Sequence, residues 1–182
     1  MVSLRKLVHI SGAAFPIIAI FNPYLALASI LAVILAFFSF EAVKPRTNIP
    51  LVSSMYREYE RSIPAGEPLF YLTSIASLLV LSLFFMPSAC YAAIIVLTVG
   101  DGISGVAGKA FGRRKIPHGE KTWIGSISGF ALAAAFGFMI AGPVAIAGAA
   151  AGMAVEGYSH RLENLLVASS AFLAMAILSL LL

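Results

Sequence analysis

Asp101 most directly suggests chemistry, because it is the only aspartate in the chain and lies inside a long hydrophobic run. A charge at such depth in a membrane costs at least ~2.5 kcal/mol and is rarely kept without a use. Glycines follow it at Gly102, Gly105, Gly108 and Gly112. On a helix of about 100° per residue, Asp101 and the last three glycines lie within roughly 60° of one another. This stripe predicts that another backbone, or a ligand, approaches closely beside Asp101, which would serve as a metal ligand or a base.

Two glutamates flank the last polar turn, E-G-Y-S-H-R-L-E-N. Carboxylates are hard oxygen ligands, so Glu156 and Glu163 could complete a magnesium site with Asp101. Two alternatives stay open. The glutamates could pair with His160–Arg161 at helix ends, and Asp101 could form an internal ion pair with a cation from a neighbouring helix.

A group of cations follows Asp101 along the chain and is interrupted by glycines and a proline. Glycines let backbone N–H groups approach phosphate oxygens, and the cations neutralise their charge, so we interpret the group as a polyphosphate cradle. No Walker A pattern, G-x-x-x-x-G-K-[ST], occurs. The alternative is solvated charge that orients the chain in a membrane. The cations are Lys109, Arg113, Arg114, Lys115 and Lys121.

His9 belongs to an R-K-x-x-H pattern, whose spacing places Arg5 and Lys6 on the face of the histidine. The alternative to a catalytic role is an interfacial hydrogen bond. Three scattered histidines without an H-x-x-x-H pair or a cysteine partner do not make a zinc site. The single cysteine, Cys90, excludes an internal disulfide.

Composition indicates the elements that must position these residues. A chain of 182 residues that is 60% hydrophobic and 11% charged has too few polar residues to cover a water-soluble globule. We predict an all-α, polytopic membrane protein, with residues 1–182 forming one catalytic domain. About seven transmembrane helices are expected, at 7–21, 24–42, 67–86, 88–110, 122–141, 143–158 and 163–182. The first and sixth are short.

The positively charged residues are concentrated at alternate connections. The 12 Lys and Arg residues occupy the N-terminus, the segments 43–66 and 109–121, and the turn around His160. By the positive-inside rule, these parts face the cytoplasm. The acids and histidines gather with them, which predicts a cytoplasmic site. The net charge of +4 then serves orientation and an anionic substrate, and we expect no nucleic acid partner.

Two further patterns concern packing. Apolar residues within 51–63 fall in an arc of about 140°, which predicts an amphipathic helix on the cytoplasmic leaflet; a solvated loop is the alternative. Small residues recur at four-residue intervals at Gly125, Gly129, Ala133 and Gly137. Such spacing indicates close helix packing and would permit a homodimer.

These motifs resemble the CTP-dependent polyprenol kinases, the family of dolichol kinase and phytol kinase. The matching segments are R-K-L-V-H-I-S-G at 5–12, G-D-G-I-S-G-V-A-G-K-A-F-G-R-R-K at 100–115, E-K-T-W-I-G-S-I-S-G at 120–129 and E-N at 163–164. The resemblance implies phosphorylation of the hydroxyl of an isoprenoid alcohol from the bilayer, such as phytol, geranylgeraniol or a dolichol-type polyprenol. CTP would be the donor and Mg²⁺ the cofactor.

The resemblance also implies roles for individual residues. Asp101, Lys121 and His9 would be catalytic, and Asp101, Glu156 and Glu163 would hold the metal. CTP would be bound by residues of the two middle motifs, namely Gly102, Gly105, Gly108, Lys109, Gly112, Arg113, Arg114, Lys115, Thr122, Gly125 and Ser126. The family commonly shows Asp-Asn where this chain has Glu163–Asn164.

Two other functions are alternatives. Membrane cytidylyltransferases that make CDP-lipids use the same nucleotide, but they usually carry a Lys-Asp signature, and no Lys-Asp dipeptide occurs here. A small transporter would also place an acid in the membrane. It would require polar residues towards the opposite face, where these segments become apolar.

Overall fold

The computed structural model describes residues 4–43, 66–117, 119, 121–159 and 162–182. In these ranges the predicted all-α class is confirmed, since the only β-type pairing there is an isolated bridge between Lys115 and Thr122. The helices are α1 (Leu4–Ser11), α2 (Ala14–Phe21), α3 (Pro23–Val43), α4 (Gly66–Ser82), α5 (Pro87–Ile95), α6 (Asp101–Phe111), α7 (Trp123–Ala141), α8 (Val144–Tyr158) and α9 (Glu163–Leu181). A turn of π-helix, Val96–Gly100, joins α5 to α6.

The continuous rod from Pro87 to Phe111 lies at the centre of the molecule. Its most apolar stretch is 83% buried, against 11% to 28% for the other three long apolar helices. Proline suits the first turn of a helix, and the rod begins with one. Residues on every side of the rod are buried. A helix that is apolar on all sides is expected in the interior of a protein or in a membrane. Asp101 is therefore surrounded by protein rather than by lipid.

Of the helices that the structure describes, six pack around this rod: α1, α2, α4, α7, α8 and α9. Helix α7 presents its small residues to the interior, where Gly125, Gly129, Ala133 and Gly137 are all buried. A methyl group on Gly129 would collide with the carbonyl oxygen of Gly100 and approach Met153 Cε to 2.7 Å. The predicted close packing at the small residues of α7 is confirmed, and their partners are other helices of the same chain.

The prediction of about seven membrane spans is not confirmed. Within the described ranges, four helices are long and apolar enough to cross a membrane: Pro23–Ala42, Pro87–Phe111, Trp123–Ala141 and Glu163–Leu181. The remaining predicted segments are helical but shorter. Helix α8 has 15 residues, which at ~1.5 Å per residue is below a hydrocarbon core of ~30 Å. The first segment is divided into α1 and α2 by a turn at Gly12–Ala13. The amphipathic helix predicted at 51–63 lies outside the described residues.

The outer surface is strongly apolar. Large side chains on the outward faces of the long helices are exposed, among them Leu35, Met139 and Ile177. Water-soluble monomers rarely expose apolar patches of this extent. The long apolar helices and this surface are those of a membrane protein.

Candidate active site

Asp101 is the meeting point of three basic side chains. Its carboxylate is buried at the start of α6. Lys6 Nζ lies 3.2 Å from Oδ2, His9 Nε2 lies 3.0 Å from the same oxygen, and Lys121 Nζ lies 3.2 Å from Oδ1. Lys6 and His9 belong to α1, whereas Lys121 precedes α7. The structure thus contains the ion pair with a neighbouring helix that the sequence left open as one interpretation of Asp101.

His9 is fixed in orientation by several contacts. Its Nε2 faces two acceptors, the Asp101 carboxylate and the Leu97 carbonyl oxygen at 3.1 Å. A nitrogen between two acceptors must carry the proton, so the neutral ring has Nδ1 as its basic atom. Tyr71 donates its hydroxyl proton to the His9 carbonyl oxygen at 2.6 Å, and the two ring centroids are 4.1 Å apart. Helix α4 therefore holds α1 in position next to Asp101.

Three acids lie together beside these cations. Oxygen atoms of Asp101, Glu156 and Glu163 all lie within 4.8 Å of one another. Glu156 is fully buried near the end of α8 and accepts hydrogen bonds from Ser104 Oγ at 2.8 Å and Ser126 Oγ at 3.1 Å. The structure thus brings the three predicted metal ligands, which are 62 residues apart at the extremes, into one small volume.

Lys121 lies between the three acids. Besides Asp101, its Nζ contacts Glu156 Oε1 at 2.5 Å and Glu163 Oε1 at 2.6 Å. Burial by itself would lower the pKa of Lys121, but the carboxylates of Asp101, Glu163 and Glu156 raise it well above its ordinary value. The side chain is therefore a permanent cation. We call Lys6, His9, Asp101, Lys121, Glu156 and Glu163 the charged cluster.

The donor set of the charged cluster fits a divalent cation. Asp101, Glu156 and Glu163 offer carboxylate oxygens, which Mg²⁺ prefers, at a spacing that one ion could bridge. The ammonium group of Lys121 contacts all three acids. The residues are suitable as ligands, and the ammonium group of Lys121 already lies in contact with all of them.

The glycine stripe is occupied by the chain itself. A methyl group on Gly105 would collide with the side chain of Lys6, and one on Gly102 would collide with Ile10. Both glycines thus admit α1 against α6. Gly108 and Gly112 face Thr122 Oγ1 in the same way, and Gly108 also lies beside Gly125 of α7. The sequence predicted that either another backbone or a ligand would approach these glycines. In the described residues, neighbouring parts of this chain do so.

The remaining predicted cations lie away from the charged cluster. Lys109, Arg113, Arg114 and Lys115 are exposed around the end of α6. Arg113 and Arg114 border a cavity of about 410 Å³ together with Trp123 and Ile124. Thr122 caps α7 by accepting a hydrogen bond from the Gly125 backbone N–H at 3.2 Å. These four exposed cations are accessible to an anionic partner. Lys121 differs from them, because its ammonium group contacts the three acids.

Three contributors to the site were not selected from the sequence. Lys6 was placed beside His9 by spacing but given no partner, and Ser104 and Tyr71 carried no signal at all. From sequence alone, a serine near glycines in a helix, such as Ser104, is interpreted as a small packing residue. A tyrosine in an apolar segment, such as Tyr71, is interpreted as part of the hydrophobic core. Glu156 was expected either in a metal site or paired with His160–Arg161, and those two residues lie outside the described part of the chain.

Asn164 connects the site to α4. Its Nδ2 donates to the Glu67 carbonyl oxygen at 3.2 Å, so the start of α9 is tied to the first turn of α4. Glu163 precedes it and points to Lys121. The two residues of the Glu163–Asn164 pair therefore have different contacts. The Glu163 carboxylate belongs to the charged cluster, and the Asn164 amide ties the start of α9 to α4.

Comparison with known proteins found one informative relative. A probable chloroplastic phytol kinase of Triticum aestivum is 32% identical over an alignment 150 residues long, and the match covers 71% of this chain and 47% of that protein. The chain therefore spans about half the length of the relative. No family model matches the chain, and no solved structure matches it. The similarity supports the resemblance to phytol kinases and covers most of this chain.

Proposed function

We propose that this protein transfers a phosphoryl group from CTP to the hydroxyl of an isoprenoid alcohol held in the membrane, with the reaction at the cytoplasmic face. The observation that carries the proposal is the charged cluster. It unites residues from the segments 5–12, 100–115, 120–129 and 163–164, which are the segments that resemble polyprenol kinases. The similarity to a protein named as a probable phytol kinase supports the same reaction.

Phosphoryl transfer requires positioning and neutralisation of charge more than covalent help from the protein. Asp101, Glu156 and Glu163 are the residues that would hold Mg²⁺. The ion, when bound, would neutralise charge on the phosphates of CTP. Lys109, Arg113, Arg114 and Lys115 are exposed cations that would bind the triphosphate by charge-assisted hydrogen bonds.

His9 is suited to take the proton that the alcohol loses. The oxygen of the hydroxyl attacks the γ-phosphorus of CTP, the bond from that phosphorus to the β-phosphate oxygen breaks, and CDP leaves. The hydroxyl proton is accepted by Nδ1 of His9. Asp101 holds the opposite nitrogen, Nε2, in its protonated form. Because the transition state is loose, this proton transfer is late and contributes less than positioning.

The substrates must meet at an interface between two media. An isoprenoid tail is too apolar to cross water readily, and CTP cannot enter hydrocarbon. The charged cluster lies among helix ends and connections: the start of α1, the residues before α7, the end of α8 and the start of α9. We infer that the alcohol enters sideways from the bilayer and presents its hydroxyl at this level.

The test uses the purified protein in lipid nanodiscs with CTP labelled at either the α- or the γ-phosphate. Phytol, geranylgeraniol and dolichol are supplied as acceptors, each alone and as its monophosphate. We expect γ-label in the lipid and release of CDP, with Asp101→Asn as the inactive control. Transfer of α-label to a lipid phosphate with release of pyrophosphate would instead establish a cytidylyltransferase. Absence of label in any lipid, with folded protein, would refute both.

A further inference from the structure

Lys121 occupies the place where a metal ion would contact the acids. Its Nζ lies 3.2 Å from Asp101 Oδ1, 2.5 Å from Glu156 Oε1 and 2.6 Å from Glu163 Oε1. These three side chains also form the group of carboxylates with oxygens within 4.8 Å of one another. An ammonium group and a divalent ion within contact distance of the same oxygens would repel each other strongly at a buried site. The two cations are therefore alternative occupants.

The balance of charge leads to the same conclusion. Three carboxylates are opposed by the ammonium groups of Lys6 and Lys121, so one negative charge is left over and a divalent ion would more than cancel it. Glu156 is fully buried and Asp101 nearly so. Adding a divalent ion without removing a cation would leave excess positive charge out of contact with water, which is strongly unfavourable.

We propose that Lys121 is an exchangeable internal cation, which pairs with the three acids in the absence of metal and leaves them when Mg²⁺ binds. The identity of the metal rests on the proposed function. Lys121 precedes the first residue of α7, and 23% of its side chain is exposed. Its ammonium can therefore turn outwards without moving a helix, and the triphosphate of CTP would offer it new anionic partners.

Lys6 is the matched comparison. Its side chain is 21% exposed and its Nζ lies 3.2 Å from the same aspartate, so its charge and burial resemble those of Lys121. Among the described acids it contacts Asp101, whereas Lys121 contacts three. Lys6 can keep its contact with Asp101 Oδ2 when a metal ion replaces Lys121 at Asp101 Oδ1 and the two glutamates. Exchange is thus assigned to Lys121 and not to Lys6.

The first test measures Mn²⁺ binding to the full chain in nanodiscs without nucleotide, by the loss of the free-ion electron paramagnetic resonance signal. Lys121→Met should bind Mn²⁺ at least tenfold more tightly than the unaltered protein, because its carboxylates have lost their internal cation. Lys6→Met should gain less. Equal affinity of Lys121→Met and the unaltered protein would overturn the proposal. An equal gain in both variants would also overturn it, since general electrostatics would then suffice.

The second test uses the unaltered protein, so it does not depend on the folding of a variant. Lysines are acetylated in the presence and absence of Mg²⁺ at a concentration that displaces bound Mn²⁺, and the sites are quantified by mass spectrometry. Mg²⁺ should raise labelling of Lys121 severalfold and leave that of Lys6 unchanged. Unchanged or lower labelling of Lys121 would refute exchange.

Neither test requires catalysis, so the two hypotheses can fail separately. A protein that exchanges Lys121 for metal but transfers no phosphate would support the exchange and refute the kinase. A kinase in which Lys121 stays protected from acetylation would refute the exchange and leave the kinase standing.

Discussion

Gly105→Ala should lower the activity of the protein through a side chain on another helix. The added methyl group would collide with Lys6 Cε and lie 2.7 Å from Lys6 Nζ. The far end of a lysine is flexible, so Lys6 would move aside rather than push α1 away. In doing so it would lose its contacts with Asp101, at 3.2 Å to Oδ2 and 3.3 Å to Oδ1. The expected result is a loss of activity in a protein that still folds.

The size of the effect follows from the lost contact. A charge-assisted hydrogen bond is worth ~1.5–3 kcal/mol, which corresponds to roughly 10- to 150-fold in kcat/KM if Asp101 must be held in place by Lys6. Stability should change little, because alanine in a helix is favoured over glycine by up to ~1 kcal/mol and offsets part of the strain. Gly102→Ala is the control: its methyl group would meet the branched side chain of Ile10 and should lower thermal stability more.

The assay combines kcat/KM for phosphorylation of the alcohol in nanodiscs with the melting temperature of each variant. Lys6→Met, Gly105→Ala and the double variant form a thermodynamic cycle. If both changes remove the same contact, the double variant should be no less active than Lys6→Met alone. Losses that multiply in the double variant would refute the reasoning, and so would full activity of Gly105→Ala.

Three further predictions concern the site and the orientation. Asp101→Asn should abolish turnover and weaken the Mg²⁺ dependence of CTP binding in a titration; an active variant would make the acid structural. Lys109→Ala, Arg113→Ala and Arg114→Ala should each raise KM for CTP by roughly 10- to 150-fold with little change for the alcohol. Equal effects on KM for both substrates in steady-state kinetics would favour the alternative, in which these cations only orient the chain in the membrane. Ser88→Cys should resist an impermeant thiol reagent applied from the cytoplasmic side of sealed vesicles, and modification from that side would contradict the predicted orientation.

The helices were predictable because apolar composition leaves little choice once backbone groups must be satisfied within the segment. The number of spans was not predictable in this way. The segment 7–21 is apolar throughout, yet it turns at Gly12–Ala13, where a methyl group on Gly12 would collide with the Tyr71 hydroxyl. That contact joins residues of two helices, α1 and α4. A hydropathy pattern indicates whether a segment is surrounded by lipid, protein or water. It does not indicate which side chain of another helix, here Tyr71, will contact the segment.

Five of the six residues of the charged cluster were selected from the sequence, but their pairing was not predicted. His9, Asp101, Lys121 and the two glutamates were selected because ionisable groups in a membrane segment or beside one are costly unless used. Lys121 was grouped with its neighbours in sequence as a phosphate ligand, whereas the structure pairs it with acids 20 to 42 residues away. Short spacing predicts partners on one helix face, and these partners come from separate elements.

The glycine stripe and the charged cluster depend on each other. Because Gly102 and Gly105 lack side chains, α1 can lie against α6, and Lys6 and His9 then reach Asp101. Gly108 and Gly125 allow the start of α7 to approach the opposite flank of α6, which places Lys121 beside the same carboxylate. Small residues alone would indicate packing, and buried charges alone would indicate an unstable core. Together they explain why the acid lies on the most buried helix: close approach of two backbones supplies the cations that its burial requires. Enlarging Gly105 should therefore separate charges before it unfolds the chain, so activity should fall while the melting temperature hardly changes.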